Sequence, residues 1–253
     1  MKLVASLMVG PGERDRYLTS VIACLLGFVD EIRVVCESPG EIDGGRSVLV
    51  KDAPAGSFFQ HEGRARQNLL SWTLDGNPTH ILAVDADEIV TDGDAVRRAC
   101  EQDLGVGIWT LGIQEVWKAD AGALWLRSDG GWDMQARAPL LYRAPRKAGG
   151  LWRIQDRPLA CGREPLAVRQ LAGRATRIGA DVLHFGWSNK HDRQARYQRY
   201  VEHDGGRFHS RAHLDSIMFP DRRVRLGRRD WPDQLAPYKD ALLERANRQP
   251  VAV

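Results

Sequence analysis

The first hundred residues alternate short apolar runs with segments of helical period, and that alternation restricts the chain to parallel strands joined by crossover helices. Leu3-Val-Ala-Ser-Leu-Met-Val9 reads as a strand buried on both faces. Arg16 to Phe28 carries Leu18, Val21, Ile22, Leu25 and Leu26 on one helical stripe, and Ile32 to Val35 is the second strand. Ser47 to Val50 is a third, followed by a helix from Gln60 to Thr73 whose inner face includes Ala65, Leu69 and Trp72. Thr79-His-Ile-Leu-Ala-Val84 makes another buried strand, and it runs directly into Asp85-Ala86-Asp87-Glu88. In open α/β sheets ligands gather beyond the carboxyl ends of strands, so the chemistry of such a fold is expected at this acidic group.

Between Gly105 and Arg174 tryptophans (Trp109, Trp117, Trp125, Trp132, Trp152) stand among glycine-rich turns, with a strand at Pro139 to Arg143. This reads as the β-rich half of the same domain. Asp181 to Trp187 is a last short strand, and Lys190 to His203 and Gln234 to Arg248 read as helices. The expected division is an α/β domain over 1–188 and a basic helical extension over 189–253 packing on it.

A chain of 253 residues, 43% hydrophobic and 27% charged, can bury a sizeable core. No apolar run approaches the roughly 20 residues needed to span a bilayer, and Leu3 to Val9 is too short for the core of a signal peptide. A soluble, cytoplasmic protein is the expectation. Cys24, Cys36, Cys100 and Cys161 form no C-x-x-C pair, which argues against a zinc knuckle or a dense disulfide framework.

A formal net charge of +3 does not by itself make a nucleic-acid binder. The charge is unevenly placed, however: between Lys190 and Arg229 eleven lysines and arginines face five acids, with four histidines among them. That stretch is expected to meet something anionic, whether solvent, a diphosphate or an acidic acceptor such as DNA. His209 and His213 have the i, i+4 spacing of a zinc pair, but no H-E-x-x-H acid accompanies them.

Two carboxylates one residue apart at a strand end repel each other unless a cation or a hydrogen-bond network neutralises them. A hard divalent ion is one solution, because Mg²⁺ or Mn²⁺ takes one or two protein oxygens and leaves positions for phosphate. Asp85-Ala-Asp87-Glu88 after its apolar strand resembles the D-x-D metal motif of the family 2 glycosyltransferases. Asp30-Glu-Ile-Arg-Val-Val35 resembles their second strand, and Ala65-Arg-Gln-Asn68 their A-R-N helix. The likeness runs in order over roughly residues 1 to 200.

This resemblance implies a GT-A fold: a Rossmann-like, mostly parallel sheet flanked by helices, with a β-rich acceptor half. It implies transfer of a sugar from a nucleoside-diphosphate donor, a UDP-sugar first, to an acceptor hydroxyl with inversion. Asp85 would approach the donor's ribose or base, Asp87 would bind Mn²⁺ or Mg²⁺ bridging the phosphates, and Arg66 would lie near the donor. His184 matches a further metal ligand of many such enzymes, although a core histidine is an equal reading. The general base would follow the β-rich segment, with Asp156 the candidate and Asp133 the reserve. Two departures stand out. Glu13 alone matches the family's Asn-Glu pair after the first strand, and Glu37 replaces the usual base-contacting Asp after the second.

Three other readings remain open. A nucleotidyltransferase shares the layout but usually carries a lysine in its first glycine-rich loop, which Met8 to Arg14 lacks. A nucleic-acid-binding protein on a degenerate transferase scaffold would use the 190–229 segment. A glycosyltransferase acting on a hydroxylated DNA base would have to flip that base from the duplex.

Overall fold

The computed structural model describes residues 1–10, 16–37, 42, 45–54, 56–102, 107–128, 137–145, 150–156, 162–204, 211–218 and 224–248. Its first half follows the alternating pattern: β1 (Leu3–Val9), α1 (Leu18–Leu26), β2 (Glu31–Cys36), β3 (Val48–Asp52), α2 (Ser57–Gln60), α3 (Glu62–Asp75) and β4 (His80–Asp85). β5 (Glu88–Val90) and α4 (Gly93–Glu101) come next, then β6 (Ile108–Ala119), β7 (Leu124–Arg127), β8 (Arg137–Arg143) and α5 (Leu166–Gln170). β9 (Thr176–His184), α6 (Lys190–Asp204), α7 (Arg211–Met218), β10 (Leu226–Arg229) and α8 (Lys239–Ala246) complete the order.

The spatial order of the main sheet is β3-β2-β1-β4-β8-β6-β7-β10, with β9 beside β6 and β5 beside β9. β3, β2, β1 and β4 are mutually parallel, the arrangement of a Rossmann-like α/β layer with helices on its faces. β4/β8, β8/β6, β6/β7 and β7/β10 are antiparallel, so the second half is the β-rich part that the tryptophan-rich segment suggested. β1 is central and every one of its apolar residues is buried, which is why its sequence is a continuous apolar run rather than an alternation. From β1 the chain proceeds outward through β2 and β3, then returns to place β4 on the opposite side. That reversal makes the carboxyl ends of β1 and β4, where Met8 and Asp85 are register partners, a topological switch point, the place where open α/β sheets usually take ligands.

Local chemistry explains the boundaries. α1 buries Leu18, Val21, Ile22 and Leu25 at helical spacing. The helix expected over 60–73 is α3, and the short α2 precedes it, separated at His61. α3 ends at Gly76 and Asn77, whose φ of 50° lies in the left-handed region that asparagine tolerates, and Pro78 prevents continuation. α4 begins where the Asp92 carboxylate accepts the Ala95 N–H at 2.8 Å. At its first residue, Gly93, a Cβ would collide with the Phe28 ring. The strand expected over Asp181 to Trp187 is β9, which starts earlier, at Thr176, and stops at His184, after which Phe185–Trp187 form a 3₁₀ turn; it is not the last strand, since β10 follows. The C-terminal helix starts only at Lys239, because Pro237 lacks an N–H and the preceding Asp233–Tyr238 forms a 3₁₀ turn.

The segment after residue 188 packs on these layers and adds to them. β10 is hydrogen-bonded to β7, and Leu235, Leu242 and Ala246 join the same buried cluster as Val21, Ile32 and Val84. Cys24, Cys36 and Cys100 are buried thiols, and Cys161 lies outside the described residues. Among the described residues no helix is long and apolar enough to cross a membrane.

One core residue gives the fold a pH signature. His80, at the start of β4, is buried beside Trp109 with its Nδ1 3.1 Å from the Thr79 hydroxyl and, among the described residues, no partner for Nε2. Burial, assisted by the nearby Arg143 guanidinium, lowers its pKa from 6.5 to about 4. The unfolded chain therefore binds a proton that the folded one refuses, and this contribution to stability, complete above pH 6.5, is lost as pH falls toward 4. Urea unfolding of wild type and His80→Phe across that window should show a larger loss of stability in the wild type. Equal slopes would mean that His80 titrates normally.

Candidate functional site

The acidic turn sits at this switch point. Asp85 closes β4 and Glu88 opens β5, and the Glu88 carboxylate reaches back to accept the Asp85 N–H at 2.9 Å, so a side chain closes the turn. Glu88 is 1% exposed, and burial raises its pKa against the opposing pull of Arg163. Arg163 donates to both Glu88 oxygens, through Nη2 to Oε1 at 2.7 Å and through Nη1 to Oε2. Its Nε is also 3.1 Å from Asp85 Oδ2. Arg66, on the buried face of α3, is held by Glu62 one turn earlier at 2.7 Å and points both Nη atoms at Asp85 Oδ1, 3.3 Å away. Burial alone would raise the Asp85 pKa, but the two guanidiniums hold it below the usual carboxylate range.

Asp87 forms a second pole. It is 6% exposed, and its backbone carbonyl accepts the Phe185 N–H at 2.8 Å, which ties the turn to the end of β9. Its Oδ2 receives Arg196 Nη2, from α6, at 2.8 Å, and His184 Nε2 lies 3.3 Å from the same oxygen. Burial opposes ionisation of Asp87, yet His184 and Arg196 together push its pKa down. The other imidazole nitrogen, Nδ1, donates to Glu115 Oε2 at 2.9 Å. Sheet register makes this possible: His184 is opposite Glu88 in the β5/β9 pair and beside Glu115 in the β6/β9 pair. Burial would neutralise His184, but Glu115 and Asp87 outweigh it and raise its pKa well above 6.5. Gly186 faces the junction, where a Cβ would collide with Asp87 Oδ2 and lie 2.7 Å from His184 Nε2 and 2.8 Å from Arg196 Nη2.

Asp87 and His184 are the two side chains here that could contribute to a divalent-ion site, although Asp87 Oδ2 already receives Arg196. Their facing oxygen and nitrogen are 3.3 Å apart, close to the ~3 Å between adjacent ligands on one octahedral ion with bonds of about 2.1 Å. The carboxylate behind the imidazole is the partner that metal-binding histidines usually have. Among the described residues no group of three or more His, Cys, Asp or Glu side chains is arranged around one such point. An ion here would have two protein ligands and open positions, as Mg²⁺ and Mn²⁺ sites that engage phosphate do.

Four expected site residues are thus brought together: Arg66, Asp85, Asp87 and His184. Glu37 stands at the end of β2 and uses both oxygens on backbone N–H groups at the start of α2, those of Gly56 and of Phe58 at 2.8 Å. Asp156 is exposed and, among the described residues, no bond draws it into the ionic cluster. Glu13, Asp133 and Trp132 lie outside the described residues, as does His209 of the histidine pair. Trp117 stacks on Trp187 with ring centroids 6.2 Å apart, and Trp152 packs against Tyr142, so both serve the interior. The basic stretch is partly turned inward. Arg193 donates to the Trp117 carbonyl at 3.2 Å, Arg196 to Asp87, and Arg229 to Gln114 at 2.5 Å.

Sequence reasoning missed Glu62, Glu115, Arg163, Gly186 and Arg196 and gave Glu88 no role. The i, i+4 spacing of Glu62 and Arg66 was a readable signal. Glu115, Arg163 and Arg196 carry no local signal, because only sheet register and helix docking bring them to the turn.

No protein-family model matches the chain, and no curated protein matches it. Among solved structures it is similar to a mannose-1-phosphate geranyltransferase from Thermus thermophilus, at 12% identity and a TM-score of 0.31. That alignment covers 86% of this chain and 63% of the other. At that distance the chemistry has to be argued from the site itself.

The imidazole provides a direct check. In metal-free protein followed by NMR, the His184 ring should titrate above pH 6.5, and Glu115→Gln should lower its midpoint. The stability that this raised value contributes is complete below pH 6.5 and is lost as pH rises through the folded midpoint. A midpoint unmoved by Glu115→Gln would mean that the 2.9 Å contact does not hold the charge.

Proposed function

We propose that the protein is a metal-dependent glycosyltransferase that moves a sugar from a nucleoside-diphosphate donor, a UDP-sugar first, to an acceptor hydroxyl with inversion. The observation that carries this reading is the Glu115–His184–Asp87 array at the carboxyl end of β4, with Asp85 held between two arginines beside it. In this reading Asp87 and His184 hold Mn²⁺ or Mg²⁺, which as a Lewis acid supplies charge stabilisation for the departing diphosphate.

The chain's own groups have distinct tasks. Arg66 and Arg163 keep Asp85 ionised and oriented, so that its oxygens are fixed acceptors for the donor's ribose hydroxyls or base N–H groups. Glu88 holds the turn that carries both aspartates. We assign the acceptor's proton to Asp156, with Asp133 as the alternative. In support, Asp156 is exposed and follows Ile154, whose N–H donates at 2.7 Å to Gln67, the residue after Arg66 on α3. The reading of the chain as a nucleic-acid binder is weakened by the inward-turned Arg193, Arg196 and Arg229.

The test is thermal unfolding with UDP, GDP, CDP or TDP, each with and without Mn²⁺, on wild type and Asp87→Ala. One nucleotide at about 100 times its Kd should stabilise the wild type by ~2.7 kcal/mol, a shift of roughly 5 to 10 °C, only when Mn²⁺ is present. Asp87→Ala should abolish it. The reading fails if no nucleotide shifts the wild type, or if the shift survives loss of Asp87. With sugar donor and acceptor, release of nucleoside diphosphate rather than pyrophosphate separates sugar transfer from nucleotidyl transfer.

A further inference from the structure

Positive charge is concentrated most steeply at residues 143–177, which hold nine lysines and arginines against two acids, Asp156 and Glu164. That is a local net of +7 in a chain whose total is +3, so the remainder is net −4. Such asymmetry orients one face of a protein toward an anionic surface. Part of the charge is matched internally: Arg163 holds Glu88 and Asp85, Arg169 holds Glu164, and Arg177 holds Asp181. Arg153 and Arg174 are exposed and, among the described residues, have no acidic partner.

Both belong to one layer. Residues 150–153 run along the start of α5, where the Leu151 and Arg153 carbonyls accept the Ala167 and Leu166 N–H groups at 3.0 and 2.9 Å. Trp152 packs inward on Tyr142, while Leu151 and Arg153 on either side of it are exposed. Just past α5 the chain makes a 3₁₀ turn in which the Arg174 N–H donates to the Leu171 carbonyl at 2.8 Å. Side chains three residues apart in such a turn lie one above the other, and Leu171 and Arg174 are both exposed. Trp152, Val168 and Ala175 close the same small core beneath. An exposed leucine, 46% for Leu151 and 39% for Leu171, therefore accompanies each unmatched arginine, one pair at either end of α5.

That pairing selects among anions. A solvated basic face or a track for nucleic acid gains nothing from uncovered leucines beside its arginines. At a phospholipid surface the guanidiniums meet headgroup phosphates while the aliphatic side chains enter the boundary with the acyl chains. We infer that the face formed by residues 150–153, α5 and the turn at 171–174 docks on an anionic phospholipid surface, with Arg153 and Arg174 on the headgroups and Leu151 and Leu171 inserted. Two arginines and two leucines make a weak attachment, so docking is reversible and sensitive to salt. It would bring the acidic turn, which receives Arg163 from the same segment, beside the lipid.

Co-sedimentation of the full chain with vesicles of pure phosphatidylcholine, and of phosphatidylcholine with about 30% phosphatidylglycerol, tests this. Wild type should prefer the anionic vesicles by at least about 10-fold, and the preference should fall as salt is raised. Arg153→Gln with Arg174→Gln should weaken anionic-vesicle binding roughly 30-fold, since each basic side chain near such a surface contributes about 5-fold. Leu151→Ser with Leu171→Ser should weaken it about 10-fold and leave the salt dependence as it was. All four positions are exposed, so thermal unfolding should be unchanged in both variants. The inference is overturned if wild type does not prefer the anionic vesicles, or if either double variant binds them as wild type does. Binding of a DNA duplex that needs the two arginines, without vesicle binding, would assign the face to nucleic acid instead. None of these readouts uses nucleotide or metal, so vesicle binding by a protein that no nucleotide stabilises would keep this inference and remove the proposed function.

Discussion

Two carboxylates at the end of a buried strand, separated by one residue, set the terms for much of this structure. Their repulsion is met by three guanidiniums and an imidazole drawn from α3, α6, β9 and the segment before α5. Each of those groups is anchored in turn: Arg66 by Glu62, Arg163 by Glu88, His184 by Glu115, and Arg196 by the face of Trp187. Removing one charge would leave its partner buried and uncompensated, which is far more costly than the pair's net worth to the fold. The network is therefore better understood as a device for orientation than as a source of stability.

The topology explains why so many elements can reach one place. The strand order reverses between β1 and β4, so the turn after β4 lies at the switch point of the sheet. β9 then runs parallel to β6 and antiparallel to β5, and this double pairing sets Glu115, His184 and Glu88 side by side. A one-residue slip would turn His184 to the other face of the sheet.

Much of the parallel half was legible in the chain, because β1 and β4 are nearly continuous apolar runs, β2 carries Ile32, Val34 and Val35, and α1 has a clear stripe. Asp85 and Asp87 were legible for the same reason, being charges at the end of such a run. The β-rich half was less so. β6 is a 12-residue strand with register shifts that break its alternation, and the first part of β9, Thr176 to Gly179, is mostly exposed, so neither shows a clean period. The site residues that escaped notice share one property. Glu115, Arg163 and Arg196 lie 69, 75 and 109 residues from the partners they bind, and nothing local marks such a meeting.

Gly186 carries a consequence of another kind. Its φ is not positive, so its backbone conformation is open to any residue. A side chain there would have to push aside the converging ends of Asp87, His184 and Arg196, which already occupy its space. Such a position separates two sorts of evolutionary constraint. If descendants of this chain gave up the chemistry and kept the fold, Gly186 should be among the first residues to drift, and alanine or serine there would mark a lineage whose ionic junction had been abandoned.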